Sequence, residues 1–289
     1  MQKNIIKIEH PRSAHMVGDG FRVVQYVPGH GREMSNDTSP FLMLDYNAPW
    51  QLAPQSNHRP GVGFHPHRGF ETVTIVYSGE VEHQDTAGNG GVIGADEVQW
   101  MTAGSGLLHN EFMTAEFSRM GGVQHAIQLW VNLPREHKMT LPRYQALTRD
   151  NIPEVAFDGG RVRVIAGQFG DTKGAAKTFS PVELYDIRFD SAGQLDIEIP
   201  EDYTTMLLVT EGEIIANNKK LENGNIAHFA RSGSSVSISA NTVAKVLIMA
   251  GSPLNEPIAH YGPFVMNTQT EIMQAFADLN AGKMGSLDV

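Results

Sequence analysis

The chain has 289 residues, of which 22 are basic and 32 are acidic, so its formal net charge is −10 and its isoelectric point is near 5.6. Sequence-independent nucleic-acid binding depends on clustered Lys and Arg, and the absence of any basic run argues against direct nucleic-acid contact. Cysteine is absent, which excludes a disulfide framework, a thiolate nucleophile and a Cys-ligated metal site.

The N-terminal segment does not have the pattern of a secretory signal. Residues 1–10 contain neither a long apolar core nor a small-residue cleavage site, and no run in the chain is long and apolar enough to span a bilayer. We therefore expect a cytoplasmic protein without membrane contact. The lack of cysteine fits a reducing compartment.

Most of the chain is predicted to form short β-strands separated by glycine and proline. The predicted strands are rich in β-branched, aromatic and aliphatic residues, and turn signals lie between them. This regular spacing is typical of all-β sandwiches and barrels. The clearest candidates are residues 72–77, 123–133, 162–166, 184–189, 205–209 and 245–249.

Two pairs of metal-capable side chains lie in this β-rich region. His65 and His67 form the first pair, and His109 and Glu111 form the second, with a spacing of two residues in each. Side chains two residues apart on a strand point to the same face, so each pair can present both groups to one point. If the two strands lie side by side, three imidazoles and a carboxylate converge, which suits a divalent first-row transition metal.

A chance origin of these pairs is the alternative interpretation, because the chain contains twelve histidines. An isolated His-x-His pair is often part of a solvated strand. Here Gly61 and Gly63 lead into the first pair, while Gly104 and Gly106 precede the second. Such glycines allow tight turns that bring backbones close together, which favours the metal interpretation.

An internal repeat divides the chain into two similar parts. Residues 75–81 resemble residues 208–214, and residues 94–98 resemble residues 222–226, with separations close to 130 residues. We predict an N-terminal metal-binding domain at residues 1–134 and a C-terminal domain without metal ligands at residues 135–289. The second copy offers Glu198 and Pro200 where the first has its histidine pair, and His228 stands alone.

The C-terminal region is the exception to the β pattern. Thr268 and Glu271 have the spacing of a capping box, which indicates the start of a helix. The apolar residues that follow recur at helical spacing and end before Gly282. This predicts a short amphipathic helix that packs on a barrel through Ile272, Met273, Phe276 and Leu279.

Five motifs resemble signatures of the pirin family of the cupin superfamily: residues 18–21, 40–45, 65–74, 98–104 and 262–268. The resemblance implies an all-β bicupin fold, with two antiparallel β-barrels of the jelly-roll type and a short C-terminal helix. It also implies that the N-terminal barrel holds one metal through His65, His67, His109 and Glu111. General cupins take their carboxylate from a position near Thr72 instead. The neighbouring Glu71 is one residue out of phase, so we expect a structural or supporting role for it, with metal binding as the alternative if a local bulge turns it inward.

The resemblance further implies quercetin 2,3-dioxygenase activity, in which O2 cleaves the central ring of a flavonol and carbon monoxide is released. Glu111 is the candidate proton acceptor, and the metal is expected to be Fe(II), with Mn, Ni, Co and Cu as alternatives. A non-catalytic, redox-sensing regulator that binds a protein partner is the second hypothesis, and a cupin isomerase or sugar enzyme is the third. A mouth wide enough for a bicyclic ligand would favour the dioxygenase.

Other side chains in these elements have candidate roles. Arg68 is expected either to steer an anionic ligand or, more simply, to form a surface salt bridge, and His125 is expected to be a packed core residue. No separate organic cofactor is predicted. Apolar residues that could form the walls of an aromatic-ligand site are Phe64, Phe70, Met101, Leu107, Phe112 and Trp130.

Overall fold

A computed structural model describes residues 1–28 and 33–286, so the last three residues of the predicted second domain lie outside the described structure. The first twelve strands are β1 (Ile5–Glu9), β2 (His15–Val17), β3 (Phe21–Val27), β4 (Phe41–Leu52), β5 (Gly61–His67), β6 (Phe70–Ser78), β7 (Val81–Asp85), β8 (Gly90–Ile93), β9 (Glu97–Thr102), β10 (Leu107–Phe112), β11 (Gly122–Asn132) and β12 (Arg143–Leu147).

The remaining strands follow in the second half of the described chain. They are β13 (Glu154–Phe157), β14 (Gly160–Ala166), β15 (Gln168–Phe169), β16 (Thr172–Lys173), β17 (Val182–Phe189), β18 (Gly193–Glu198), β19 (Thr204–Glu211), β20 (Glu213–Ala216), β21 (Lys219–Glu222), β22 (Ile226–Phe229), β23 (Ser235–Ala240), β24 (Ala244–Gly251), β25 (Ala259–Tyr261) and β26 (Phe264–Met266). The helices are α1 (Ala115–Met120) and α2 (Gln269–Asn280), with short 3₁₀ turns at Asn36–Thr38, Arg135–His137 and Arg149–Asn151.

The chain forms two compact units whose boundaries differ from the predicted division at residue 134. Of the described residues, the N-terminal unit contains 13–28, 33–149 and 254–286, and the C-terminal unit contains 1–12 and 150–253. Strand β1 belongs to the C-terminal unit because it pairs with β22, with Ile5 opposite Phe229. Strand β12 and helix α2 belong to the N-terminal unit, although both follow residue 134.

Each unit contains one seven-stranded and one four-stranded antiparallel sheet, together with one two-stranded sheet, which is β25-β26 in the N-terminal unit and β15-β16 in the C-terminal unit. In the N-terminal unit the strand orders are β12-β9-β6-β11-β4-β3-β2 and β5-β10-β7-β8. In the C-terminal unit they are β1-β22-β19-β24-β17-β14-β13 and β18-β23-β20-β21. The predicted all-β bicupin class is confirmed, and all six predicted strands agree with observed strands to within two residues at each end.

Helix α2 begins and packs as the sequence indicates, with one exception. The Thr268 hydroxyl accepts a hydrogen bond from the Glu271 backbone N–H, and the Glu271 carboxylate accepts one from the Thr268 backbone N–H. Ile272 is buried in a cluster with Phe264, but Met273 is 65% exposed. Neither helix of the described chain is sufficiently long and apolar to cross a membrane.

Candidate metal centre

Three of the predicted ligands meet where β5 and β10 lie side by side. The antiparallel register places His109 directly opposite His65, and Leu107 opposite His67. The ring centroids are 4.8 Å apart for His65 and His67, 4.2 Å for His65 and His109, and 4.9 Å for His67 and His109. Nitrogen atoms from all three rings lie within 4.8 Å of one another, so the three imidazoles can hold one metal ion.

Backbone carbonyls fix the orientation of two of these rings. The Nδ1 atom of His65 lies 2.8 Å from the Gly63 carbonyl oxygen, and the Nδ1 atom of His67 lies 3.4 Å from the Pro263 carbonyl oxygen. A carbonyl oxygen can only accept, so each Nδ1 carries the proton in these contacts. The lone pair is then on Nε2, the atom that can bind a metal.

His109 is oriented by a chain of side chains behind it. Its Nδ1 lies 3.3 Å from His83 Nδ1, and His83 Nε2 lies 3.3 Å from Asp85 Oδ2. The Asp85 carboxylate only accepts, so His83 Nε2–H donates to it, and His83 Nδ1 is left to accept from His109 Nδ1–H. His109 Nε2 is buried and has no hydrogen-bond partner among the described residues. This unpaired lone pair fits a metal ligand.

Burial keeps the cluster in the form that binds metal. His109 is fully buried and His67 is 4% exposed. Desolvation, with a smaller contribution from the neighbouring histidines, lowers the pKa of both imidazoles well below the usual value. Both rings are therefore neutral near pH 7, and only a neutral imidazole has a lone pair to donate.

Glu111 lies beside His109 but belongs to a second group of potential ligands, together with His83 and His109. Its Oε1 atom accepts hydrogen bonds from Gln99 Nε2 and, at 3.3 Å, from Thr74 Oγ1. Its Oε2 atom accepts from Gln128 Nε2 at 2.8 Å. The structure thus gathers three of the four predicted ligands directly and places the fourth next to one of them, so the four-ligand set stays a prediction.

His83 was not among the predicted site residues, although a sequence signal for it exists. His83 and Asp85 are two residues apart on β7, the same spacing that marks the other pairs. Both side chains are almost fully buried, and the His83 ring stacks on Tyr144 with centroids 4.9 Å apart. The His-x-Asp spacing on β7 is therefore a signal of the same kind as the His-x-His spacing on β5.

We predict that Asp85→Asn weakens metal binding about 10- to 100-fold, as is usual when a partner of a metal-bound histidine is lost. The amide keeps an oxygen for the backbone N–H groups of Ala87 and Asn89 but offers Nδ2 to His83. Titration against a competing chelator measures the affinity. Asp196→Asn, at an exposed position on β18, is the matched control. Unchanged affinity in Asp85→Asn would refute the orienting role.

A cavity of about 410 Å³ borders the histidine cluster inside the N-terminal unit. His65, His67 and Glu111 contribute to its lining from the four-stranded sheet, and residues of β2, β3, β4, β6 and β11 contribute from the seven-stranded sheet. His15 lies at its edge and is exposed, so the cavity communicates with solvent. Its volume falls in the usual range for small-molecule sites.

Of the six predicted wall residues, only Trp130 lines this cavity in the described structure. Phe70 stacks on the Trp130 ring, with centroids 4.2 Å apart, and thereby supports it. The apolar lining residues that the sequence analysis missed include Phe21, Val23 and Met43, which alternate along β3 and β4. The predicted wall residues that lie elsewhere are Phe64, Met101, Leu107 and Phe112.

Three other expectations can be compared with the structure. Glu71 lies outside both groups of potential ligands, accepts a hydrogen bond from Thr102 at 2.7 Å, and has its pKa raised to about 7 by burial. Arg68 forms a salt bridge, as one of its two expectations had it, through a 3.0 Å ion pair with Asp278 of α2, but the expected surface position is wrong because Arg68 is 4% exposed. It does not line the cavity beside the histidines. His125 is packed as predicted and is 7% exposed.

The C-terminal unit has apolar residues in the strands that correspond to β5 and β10. Strands β18 and β23 occupy the same places in its four-stranded sheet. Their inward-facing residues Leu195, Ile197, Val236 and Ile238 are part of the hydrophobic core. Both groups of potential metal ligands found in residues 1–28 and 33–286 are in the N-terminal unit.

We predict that His228→Ala leaves the metal content unchanged. The His228 Nε2 atom lies 3.1 Å from Glu9 Oε1, so this side chain has a carboxylate partner in the C-terminal unit. Elemental mass spectrometry of the purified variant measures the content. Loss of metal from His228→Ala, or a second metal bound at that position, would contradict the assignment of the metal to the N-terminal unit.

Two units with matching double-sheet topology, one with histidines converging in its interior, define the bicupin class. The Pirin family matches residues 20–131, and the Pirin C-terminal cupin domain matches residues 184–285. The chain belongs to the pirin family, which confirms the resemblance.

Relatives of this chain are found in bacteria and plants. A Pseudomonas aeruginosa protein named "Putative quercetin 2,3-dioxygenase" is 42% identical over 97% of this chain and 98% of its own length. A pirin-like protein of Solanum lycopersicum is 38% identical over 93% of this chain and 88% of its own length. The crystal structure of a quercetin 2,3-dioxygenase from Acinetobacter baumannii is 46% identical, covers 100% of both chains and has a TM-score of 0.92.

Proposed function

We propose that this protein is a metal-dependent dioxygenase that cleaves quercetin, or a related flavonol or enolic substrate, with O2. The observation that carries the proposal is the cavity of about 410 Å³, which joins the histidine cluster and Glu111 to a solvent-accessible edge. The names of the Pseudomonas and Acinetobacter relatives support the same activity. The substrates are then a small aromatic molecule and O2.

One divalent metal per chain is proposed to bind to His65, His67, His109 and Glu111. The unpaired Nε2 of His109 and the neutral imidazoles support this donor set. Nitrogen and oxygen donors suit Fe(II), our first choice, and also Mn, Ni, Co and Cu. When bound, the metal supplies Lewis-acid chemistry that favours the ionised form of a substrate hydroxyl, together with reactivity towards O2.

Glu111 is proposed to accept the proton of the substrate hydroxyl. The amides of Gln99 and Gln128 and the hydroxyl of Thr74 hold its carboxylate at the cavity wall. Such anchoring reduces the number of conformations in which the carboxylate can meet the substrate. The side chain of Trp130 forms an apolar part of the wall, so a bound aromatic ring would exclude water from the reacting centre.

A redox-sensing regulator that binds a protein partner is the alternative function. A regulator of this kind needs no substrate cavity beside its metal, whereas the cavity here is large enough for a small organic molecule. The geometry therefore favours the enzyme.

Quercetin consumption by the metal-loaded protein tests the proposal. The absorbance band of quercetin is expected to decay in air, and to persist both under argon and after removal of the metal with a chelator. Oxygen uptake should match quercetin loss. No consumption with any of the five candidate metals would reject the dioxygenase and leave the regulator as the better account.

A further inference from the structure

A row of polar side chains crosses the inner face of the seven-stranded sheet in the N-terminal unit. We call it the polar row: Gln25, Asp45, Gln128, Thr74 and Gln99, on β3, β4, β11, β6 and β9. Each member is directly opposite the next in the strand register. Residues paired in this way share one face of a sheet, and Gln25, Asp45, Gln128 and Thr74 line the cavity.

The fold itself does not require this polarity. The corresponding strands of the C-terminal unit carry a row in the same register, formed by Val164, Tyr185, Ile248, Leu207 and Ala227. All five belong to its hydrophobic core. Buried polar groups destabilise a fold unless they are hydrogen-bonded. We therefore infer that the polar row of the N-terminal unit has a role other than packing.

Part of the polar row is accounted for by protein contacts. Gln99, Thr74 and Gln128 donate hydrogen bonds to Glu111, and Gln25 donates one to Asp45. These contacts leave one carboxylate oxygen of Asp45 unpaired in the described part of the chain.

The unpaired groups belong to Asp45 and Asn47, which are two residues apart on β4 and point into the same cavity. Asp45 is 6% exposed and Asn47 is 2% exposed. Asp45 Oδ1 and both side-chain polar atoms of Asn47 have no hydrogen-bond partner within the described residues. Together they offer two acceptors and one donor to a molecule in the cavity.

We propose that Asp45 and Asn47 form a hydroxyl-binding subsite, which selects flat aromatic ligands that carry hydroxyl groups in addition to the one that reacts. The inference rests on the proposed function, because it assigns the recognition of that substrate to residues other than the metal cluster. The two acceptors suit phenolic O–H groups, and the Asn47 amide can donate to a phenolic or carbonyl oxygen.

The chemistry of the cavity fits this ligand class. Phe21, Val23, Met43 and Trp130 line the space around the two polar residues, so a planar aromatic molecule can pack against apolar walls while its edge is hydrogen-bonded. Burial raises the pKa of Asp45 to about 6, and the hydrogen bond from Gln25 offsets only part of this increase. Above that pH the carboxylate is ionised, and hydrogen bonds to an ionised acceptor are stronger than neutral ones.

Ligand binding without turnover tests the subsite. The metal-loaded protein is titrated under argon, at a pH above 6, with quercetin and with 3-hydroxyflavone, which lacks the additional hydroxyl groups. Calorimetry and quenching of tryptophan fluorescence both report binding, since Trp130 lines the cavity. We expect wild-type protein to bind quercetin about tenfold or more tightly than 3-hydroxyflavone, as is usual for a hydrogen bond to a charged group.

In Asp45→Asn and in Asn47→Leu, we expect the ratio of the quercetin affinity to the 3-hydroxyflavone affinity to fall close to one. The affinity for 3-hydroxyflavone itself should change little. Asp196→Asn and Asn241→Leu, both at exposed positions of the C-terminal unit, are the matched controls and should keep the wild-type preference. Metal content and thermal midpoint show whether each variant is folded, and Asp45→Asn, which is nearly isosteric, keeps the test usable if Asn47→Leu does not fold.

The outcomes separate the subsite from the proposed function. Equal affinity of wild-type protein for the two ligands, or an unchanged preference in a folded variant, would overturn the subsite alone. Binding of neither ligand would overturn both the subsite and the flavonol substrate. Hydroxyl-dependent binding that is lost in the variants, but without O2-dependent turnover in wild type, would support the subsite and reject the dioxygenase.

Discussion

Replacing His65 and His109 together with alanine is expected to abolish both metal binding and quercetin turnover. The two rings are directly opposite each other on β5 and β10 and contribute two of the three clustered imidazoles. One remaining histidine and a carboxylate that is already hydrogen-bonded cannot form the predicted site. Elemental mass spectrometry after dialysis should find wild-type protein loaded with one metal per chain and the double variant without metal.

His228→Ala is the control for this experiment, because it also removes an imidazole that is largely shielded from solvent, but from the C-terminal unit. Far-ultraviolet circular dichroism of both variants checks that the sheets are intact. Full metal occupancy in a folded His65→Ala, His109→Ala protein would show that the assignment of the site is wrong.

Replacing Glu111 with Gln is expected to reduce turnover about 100-fold or more, as is typical of the loss of a general base. The change is nearly isosteric and leaves one oxygen that can bind metal, so metal content should fall far less than turnover. The initial rate of quercetin loss, divided by metal content, gives the comparison. The three donors that contact the carboxylate, from Gln99, Thr74 and Gln128, show that it is held at the cavity wall.

Glu71→Gln is a matched control for Glu111→Gln. Glu71 is also a buried glutamate of the N-terminal unit, but it bonds to Thr102 and lies outside the cavity lining. We expect its turnover per metal to stay close to the wild-type value. Equal turnover in Glu111→Gln and wild type would eliminate the proton-acceptor role.

The sequence predicted those features that depend on local pattern. The strands at 72–77 and 205–209, the helix start at Thr268 and the meeting of His65 with His109 all follow from periodicity or from fixed spacing. The internal repeat predicted the matching topology of the two units, because corresponding strands need similar alternation of apolar residues.

Features that depend on pairing between distant segments could not be predicted. The first twelve residues belong to the C-terminal unit because β1 pairs with β22. Nothing in residues 1–12 alone specifies that partner. The buried position of Arg68 could not be predicted, because its partner, Asp278, is 210 residues away in the sequence. The register also determined that Asp45 faces the cavity, since a shift of one residue would have turned it to the opposite face.

The most direct test of the proposed activity is the yield of carbon monoxide per quercetin consumed by the metal-loaded protein in air. Cleavage of the central ring at the cavity of the N-terminal unit predicts close to one molecule of carbon monoxide for each quercetin lost, and none from the His65→Ala, His109→Ala variant. Quercetin loss without carbon monoxide, or equal carbon monoxide release from that variant, would contradict the account.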